Sequence, residues 1–169
     1  MTYKIRGILI DPGDFCELFE NVEGVLLTHA HFDHIYGLNE VIRFNPGVRI
    51  YTNDYGKGLL LDAKKNLSRY HDSEFIIADS SSIVIVQNNQ DIRITEEITA
   101  TPIFTPGHNP SCITWKIQDM LFTGDTFIPG VKTVTNLPGG NRRLAEESIA
   151  LIKELSKTHT LYPGHKIKL

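Results

Sequence analysis

The chain has 169 residues, of which 41% are hydrophobic and 22% are charged. That length suits one buried core and is too short for two ordinary domains, so we expect residues 1–169 to form a single globular domain. The net charge is −3 and the basic residues are scattered along the chain, which argues against a nucleic-acid-binding surface.

Cysteine content and the N-terminal sequence bear on where the protein works. Cys16 and Cys112 are too few and too far apart for a disulfide framework, and this usage fits a reducing compartment. The N-terminus lacks the apolar core of a signal peptide, and no apolar run reaches the roughly 20 residues that cross a bilayer. We therefore expect a cytoplasmic protein without a membrane partner, and we leave its oligomeric state open.

Short apolar runs separated by turn residues favour strands over long helices. In chain order, strands are predicted at residues 5–10, 25–28, 48–51, 83–86, 92–94, 98–105, 112–117, 120–123 and 160–162. Helices are predicted at residues 35–44, 54–65 and 144–156, the last with one apolar face and with Asn141 as its N-cap. Strands mixed with a few helices favour an α/β domain in which helices cover packed sheets.

Four of the predicted strands end in a turn that carries histidine or aspartate. The strand at residues 25–28 runs directly into the segment His-Ala-His-Phe-Asp-His, and three later strands run into glycine followed by histidine or aspartate. Strand ends are where α/β proteins place functional loops, and glycine lets the backbone turn sharply there. The candidate site residues are His29, His31, Asp33, His34, His108, Asp125 and His165.

These residue types in this pattern indicate a metal site. Imidazole and carboxylate are ligands suited to zinc, iron and manganese. Residues two apart in an extended segment point to the same side, so His29 and His31 can hold one ion together. Asp33 and His34 can face a second ion, and two ions about 3.5–4 Å apart can share a bridging hydroxide and carboxylate. The sequence predicts two divalent ions, with zinc expected first and iron or manganese as alternatives.

The motifs that carry these residues resemble those of the metallo-β-lactamase superfamily. Residues 28–34 read Thr-His-Ala-His-Phe-Asp-His, and four shorter motifs follow the same order as in that family across residues 8–165. They are Asp11-Pro12-Gly13, Thr105-Pro106-Gly107-His108, Gly124-Asp125-Thr126 and Pro163-Gly164-His165. The resemblance implies a four-layer αββα sandwich with the metals in a cleft along one edge of the two sheets.

The resemblance also implies how the ligands divide. One metal would take His29, His31 and His108, the other would take Asp33, His34 and His165, and Asp125 would bridge them. The pattern is most similar to the short glyoxalase II-like hydrolases, on Asn66-Leu67-Ser68 and on Leu-Pro-Gly-Gly-Asn at residues 137–141. That group implies hydrolysis of a small ester or thioester by a metal-bridging hydroxide, with Asp33 as the catalytic residue that orients the hydroxide and moves its proton.

The chain departs from the glyoxalase II pattern around the cleft. Residues 133–136 read Thr-Val-Thr-Asn where that group has Gly-Arg-Thr-Asp, so a charged element beside the cleft is replaced. Tyr36 stands where a small glycine is usual, which makes it a candidate substrate-binding residue, with simple packing as the alternative. The chain ends four residues after His165, so we expect no C-terminal domain for glutathione, and the small-molecule substrate stays open.

Three alternatives to an ester or thioester hydrolase stay open. A persulfide dioxygenase-like enzyme would hold a single iron on two histidines and one aspartate, and Cys112 has a counterpart in that branch. A phosphodiesterase or lactonase of the same superfamily would use the same machinery. A non-catalytic binding domain is the third alternative, although the complete set of candidate ligands argues against it.

Overall fold

Two five-stranded sheets form the centre of the computed structural model, which describes residues 1–13 and 19–166. The strands are β1 Tyr3–Ile5, β2 Ile8–Ile10, β3 Gly24–Leu26, β4 Arg49–Thr52, β5 Ile83–Ile85, β6 Ile92–Arg93, β7 Thr99–Phe104, β8 Ile113–Ile117, β9 Met120–Gly124 and β10 Thr160–Pro163. The helices are α1 Phe32–Ile35, α2 Leu38–Phe44, α3 Asp54–Leu60 and α4 Arg142–Leu155.

The strand order follows the chain in the first sheet and reverses it in the second. The first sheet has the order β1-β2-β3-β4-β5, with β1 and β2 antiparallel and the remaining pairs parallel. Parallel neighbours need crossover connections, which α1 and α2 supply between β3 and β4, and α3 between β4 and β5. The second sheet has the order β10-β9-β8-β7-β6, in which only β9 and β10 pair in parallel.

Alternating side chains divide the interior into two cores. In β2 and β3, Ile8, Ile10 and Leu26 face the second sheet, whereas Leu9 and Val25 face the helices. The core between the sheets also holds Tyr51, Ala100, Ile113, Trp115, Ile117 and Phe122, and the core under α1, α2 and α3 holds Leu27, Ile35, Leu38, Val41, Ile50, Leu59 and Leu60. Each core joins one pair of layers, as the αββα prediction requires.

Helix α4 covers the second sheet and is the best-predicted element. It buries Ala145, Ser148 and Ile152, and the Ser148 hydroxyl donates to the Pro106 carbonyl at 2.7 Å. The side chain of Asn141 accepts from the backbone N–H of Leu144 at 3.1 Å, which confirms the predicted N-cap. With helices on the outer face of each sheet, the chain forms the predicted four-layer αββα sandwich.

Three predicted elements are wrong in their bounds. The strand at residues 5–10 is a hairpin, because the chain turns at Arg6, whose φ is 42°, and Gly7 before β2 begins. The helix at residues 35–44 is two helices, since Gly37 donates its N–H to the Pro12 carbonyl at 2.6 Å. The helix at residues 54–65 ends at Leu60, and beyond it the Asp62 side chain accepts from the N–H groups of two later residues in a turn.

Hydrogen bonds between the layers hold the two sheets together at one edge. The backbone N–H of Ile113 donates to the Thr28 carbonyl at 2.7 Å, and the buried Trp115 indole donates to the Leu27 carbonyl at 2.8 Å. Between the outer strands β1 and β10, the Tyr3 hydroxyl donates to the Pro163 carbonyl at 2.7 Å. Within the described ranges, no helix is long and apolar enough to cross a membrane.

Candidate metal centre

The candidate ligands converge because their strands end at the same edge. β8 is antiparallel to both β7 and β9, and β10 is parallel to β9, so β7, β9 and β10 run in one direction. Their carboxyl ends lead into His108, Asp125 and His165 respectively. The bond from Ile113 to Thr28 brings the end of β3 to this edge, and the segment with the first four candidate ligands follows it. The structure therefore gathers all seven predicted residues.

The first cluster consists of His29, His31 and His108. Each offers a ring nitrogen, these atoms lie within 4.8 Å of one another, and all three residues are buried. Nδ1 of His31 lies 3.0 Å from Nε2 of His108. Three imidazoles that converge in this way form a ligand set that zinc or iron can occupy.

The second cluster consists of Asp33, His34 and His165. Their nearest ligand atoms also lie within 4.8 Å of one another, and Oδ2 of Asp33 lies 3.3 Å from Nε2 of His165. His34 is buried, whereas the side chains of Asp33 and His165 are 37% and 47% exposed. Solvent and a small molecule can therefore reach the second cluster more easily than the first.

Asp125 lies between the two clusters. Its Oδ1 is 3.4 Å from Nε2 of His34, and its Oδ2 is 3.2 Å from Nε2 of His165 and 4.0 Å from Nε2 of His108. Contacts to both clusters are what a bridging carboxylate needs. The geometry agrees with the predicted division of the ligands, while their roles in holding metal stay a prediction.

The ring nitrogens that face away from the clusters are held by protein oxygens. The Nδ1 atom of His29 lies 3.3 Å from the Thr28 hydroxyl, and Nδ1 of His108 lies 2.8 Å from the Val134 carbonyl. In His34 the same atom lies 2.9 Å from Oδ2 of Asp11. Such contacts orient a metal-binding imidazole and determine which nitrogen presents its lone pair.

Asp11 is a functional residue to which the sequence analysis assigned no role. Asp11, His29 and His34 also offer three ligand atoms within 4.8 Å of one another. The Asp11 carboxylate, however, already accepts from the N–H and the hydroxyl of Thr28, at 2.7 and 2.5 Å, in addition to its contact with His34. We therefore assign Asp11 to orienting His34, and the signal in the sequence was a polar residue directly after an apolar strand.

Unpartnered polar atoms show that the site fits a cation. Nε2 of His29, Nε2 of His34 and Oδ1 of Asp125 are buried without a hydrogen-bond partner among the residues that the structure describes. Each such atom costs about 1–3 kcal/mol if nothing satisfies it. All three belong to candidate ligands of the two clusters, so divalent metal ions bound there would satisfy them together.

Burial and neighbouring charges shift the pKa values of His29 and His31 in the opposite direction from that of His34. Burial, reinforced by the neighbouring histidines, lowers the pKa of His31 to about 3 and the pKa of His29 well below its usual value. Burial also acts to lower the pKa of His34, but the carboxylates of Asp11 and Asp125 outweigh it and raise that pKa to about 10. His29 and His31 are therefore neutral, and a cation at the second cluster would replace the proton that the carboxylates favour on His34.

Glycines let the ligand-bearing turns approach one another closely. A Cβ on Gly164 would lie too close to Oδ1 of Asp125 and 2.9 Å from Cε1 of His34, so a side chain there would displace the Asp125 carboxylate. Gly107 has a φ of +137°, which other residues rarely adopt, and a Cβ there would meet the backbone of Ala145. The predicted role of glycine before the ligands is confirmed at these two turns.

A cavity of about 410 Å³ opens beside the ligands. Its walls include the ligands His108, Asp125 and His165 together with Ile128, Val131, Lys132, Thr133, Val134 and Lys166. Val131 and Val134 are 48% and 47% exposed, so the wall nearest His108 presents aliphatic carbon to the cavity. The altered segment at residues 133–136 therefore places an apolar surface next to the site.

Two residues considered in the sequence analysis do not line this cavity. Tyr36 packs against the core under the helices, and its hydroxyl donates to the Ser73 carbonyl at 3.1 Å. These contacts are those of a packing residue, and none supports the predicted substrate-binding role. Cys112 is a free thiol with 1% exposure, and burial raises its pKa to about 12. Cys16 lies outside the described residues.

An αββα sandwich with two His/Asp clusters joined by an aspartate at one sheet edge defines a class of metal-binding α/β proteins. The family model of the metallo-β-lactamase superfamily matches residues 6–165. The chain belongs to the metallo-β-lactamase superfamily, as its motifs predict.

Curated relatives are similar over most of this chain. The probable metallo-hydrolase YqgX of Bacillus subtilis is 33% identical over 127 residues, which are 74% of this chain and 59% of that protein. A hydroxyacylglutathione hydrolase of Blochmanniella pennsylvanica is 25% identical over 99% of this chain and 60% of its own length. This chain thus spans about three-fifths of the length of these two relatives.

Solved structures share the fold. TTHA1623, solved in a di-iron-bound form, superposes with a TM-score of 0.80 over 98% of this chain and 87% of its own, at 22% identity. The B3 metallo-β-lactamase BLEG-1 superposes with a TM-score of 0.82 over 95% of this chain and 81% of its own, at 26% identity. The predicted fold class is therefore confirmed.

Proposed function

We propose that this protein is a two-metal hydrolase that cleaves a small ester or thioester. The observation that carries the proposal is the position of Asp125 between two ligand clusters, together with the three buried atoms that lack a partner. The metallo-hydrolase and hydroxyacylglutathione hydrolase names of the curated relatives support hydrolysis and, in the second case, a thioester substrate.

The roles of the residues follow from their placement. Two divalent ions, when bound, supply a hydroxide nucleophile at neutral pH and polarise the oxygen of the scissile bond. The buried imidazoles of the first cluster would hold one ion, and the more exposed second cluster would face the substrate. The side chain of Asp33 is 37% exposed and its Oδ2 lies 3.3 Å from Nε2 of His165, so Asp33 would orient the attacking oxygen, accept its proton and deliver that proton to the leaving group.

The cavity beside the site favours an apolar substituent on the substrate. Ile128, Val131 and Val134 present aliphatic carbon within about 410 Å³, enough for an acyl chain of several carbons. The aliphatic side chains suit the carbon part of a carboxylic ester or thioester, whereas Lys132 and Lys166 in the same wall suit an anionic group, so a phosphodiester stays the alternative. Zinc is the ion that we propose first, acting on a small molecule in the cytoplasm without nucleic acid or membrane.

Metal reconstitution tests the proposal directly. Metal content is measured by elemental analysis, and the chelator-treated protein is then loaded with zinc, iron or manganese. Each form is assayed on chromogenic thioesters, carboxylic esters, lactones and phosphodiesters. We expect about two ions per chain, turnover of an ester or thioester, and loss of that turnover on chelation. Full activity with one ion per chain would contradict the two-metal mechanism, and no turnover of any substrate would contradict hydrolysis.

A variant pair tests the role of Asp33. Asp33→Asn is expected to lower kcat by about 10²–10⁴-fold, the usual effect of removing a general acid–base group. Asp91→Asn is the matched control, because Asp91 is an exposed carboxylate that accepts from the Thr101 hydroxyl away from the site. Metal content is measured on both variants. Oxygen uptake with a persulfide by a one-iron form would instead support the dioxygenase alternative.

A further inference from the structure

Asn109 contacts the outer nitrogen of His31 in a way that differs from the other oriented histidines. The Asn109 side chain is buried, with 3% exposure, and its Nδ2 lies 3.0 Å from Nε2 of His31. The corresponding nitrogens of His29, His34 and His108 each meet an oxygen. A carbonyl or carboxylate oxygen can only accept a hydrogen bond from the ring N–H, and a hydroxyl can either accept or donate one. Asn109 instead presents its amide N–H₂ group, which can only donate to the ring.

The neighbouring Ser111 determines which way the Asn109 amide points. Oδ1 of Asn109 accepts from the backbone N–H of Ser111 at 2.9 Å and from the Ser111 hydroxyl at 2.7 Å. A backbone N–H is only a donor, so the group that faces it is the amide oxygen, and the amide nitrogen therefore faces His31. The Ser111 hydroxyl lies 3.3 Å from the N–H of Ala30, next to His31, which anchors the arrangement to both ligand loops.

This orientation places the proton of His31 on the nitrogen that faces the cluster. Because Nδ2 of Asn109 donates, Nε2 of His31 accepts and the ring proton sits on Nδ1. That proton is donated to Nε2 of His108 at 3.0 Å, and His108 donates its own Nδ1 proton to the Val134 carbonyl. Every donor and acceptor in this series of contacts, from Asn109 through His31 and His108 to Val134, has a partner without a metal.

A cation at the first cluster requires a different arrangement. Nδ1 of His31 is the atom that lies among the other ligand atoms, so it must give up its proton, which then moves to Nε2. The Asn109 amide must then turn to accept that proton with Oδ1, which leaves its Nδ2 facing Ser111. The Ser111 hydroxyl can accept from Nδ2, but the backbone N–H of Ser111 loses its acceptor.

We propose that Asn109 is a positioning residue that couples metal binding at His31 to a turn of its own amide, and thereby weakens the hold of the first cluster on its metal. The proposal requires a metal at this cluster but not hydrolysis, so it can fail while the proposed function stands. It also makes the first cluster's affinity adjustable through a residue that touches no substrate.

Substituting Asn109 by aspartate gives the clearest test. A carboxylate has oxygens for both the Ser111 N–H and the His31 Nε2–H, so Asn109→Asp removes the conflict and is expected to raise zinc affinity about 10–100-fold. Asn141→Asp is the matched control for the added charge. The Asn141 side chain accepts from the Leu144 N–H at 3.1 Å as an N-cap, a role that aspartate preserves, and it does not touch His31.

Affinity is measured by competition with a chromophoric chelator. Both variants are made in a His165→Ala background, which removes a candidate ligand of the second cluster. The more tightly bound zinc ion then reports the affinity of the first cluster. The proposal expects the Asn141→Asp affinity to stay within about threefold of the parent. An Asn109→Asp affinity equal to or below that of the parent, in a folded protein, would overturn the proposal.

Nuclear magnetic resonance of the unsubstituted chain provides a readout independent of any variant. Long-range ¹H–¹⁵N correlations identify which ring nitrogen of His31 carries the proton. We expect Nδ1 to be protonated after chelation and Nε2 to be protonated after zinc is added. In Asn109→Asp we expect Nε2 to be protonated in both states. A proton on Nε2 in the chelated, unsubstituted chain would refute the proposal.

Discussion

Replacing Asp11 by asparagine removes a charge from behind the second cluster without changing the size of the side chain. Asp11 is buried and receives three hydrogen bonds, two from Thr28 and one from His34. Asparagine also tolerates the left-handed backbone at this position, where φ is 49°. The substitution therefore changes hydrogen-bond chemistry and leaves the backbone as it is.

The size of the effect follows from the donors that surround residue 11. The asparagine oxygen can still accept from the Thr28 N–H, but its nitrogen then faces Nδ1 of His34. To avoid two opposed N–H groups, His34 must move its proton to Nε2, the atom that faces Asp125. The lone pair needed for metal is then blocked. Losing an orienting contact of this kind lowers metal affinity about 10–100-fold, or about 1.4–2.8 kcal/mol.

Chelator competition with zinc measures this prediction. We assign the more weakly bound zinc ion to the second cluster. In Asp11→Asn we expect the affinity for that ion to fall about 10–100-fold. The more tightly bound zinc ion should lose less affinity, since Asp11 is linked to the first cluster only through the Thr28 hydroxyl, which lies 3.3 Å from Nδ1 of His29. Asp91→Asn again serves as the control at an exposed carboxylate. Wild-type affinity for both zinc ions, in a folded Asp11→Asn protein, would refute the reasoning.

Three further predictions concern the framework and the metal-free state. Trp115→Phe leaves the buried Leu27 carbonyl without its 2.8 Å donor, and urea unfolding should show a loss of about 1–3 kcal/mol. Gly164→Ala should lower metal content, measured by elemental analysis, with little change in circular dichroism, because its Cβ would lie too close to Oδ1 of Asp125. The pKa of His34 is raised to about 10, so the folded chain holds a proton that the unfolded chain releases. Urea midpoints of chelated protein should therefore fall as the pH rises from about 6.5 through about 10.

Much of the site could be predicted from the sequence because its ligands sit at strand ends. An apolar run followed by a ligand residue is a local pattern, and strand direction in a sheet brings such ends to one edge. His108 and Asp125 could be placed beside the first histidines on this basis, although they are far away along the chain. The division into two clusters came from family resemblance, and the contacts of Asp125 with both clusters agree with it.

The contacts that orient the ligands could not be predicted, because they depend on how separate loops meet. The Val134 carbonyl reaches His108 and the Asn109 amide reaches His31 only after the sheets have packed. No periodicity in the sequence reports a backbone carbonyl or an amide orientation. The predicted strand at residues 5–10 was wrong because the hairpin turn at Arg6 interrupts an apolar run that has the pattern of a single strand.

The contact between Tyr3 and Pro163 has a consequence for how the protein matures. Tyr3 lies in β1, whereas Pro163 ends β10 about 160 residues later and directly precedes Gly164 and His165. During synthesis the first cluster's three histidines emerge well before the second cluster is complete. Contacts between such distant parts of a chain form late in folding. A chain emerging from the ribosome can therefore complete the first cluster before His165 is made, whereas the second cluster forms only after β10 has been synthesised.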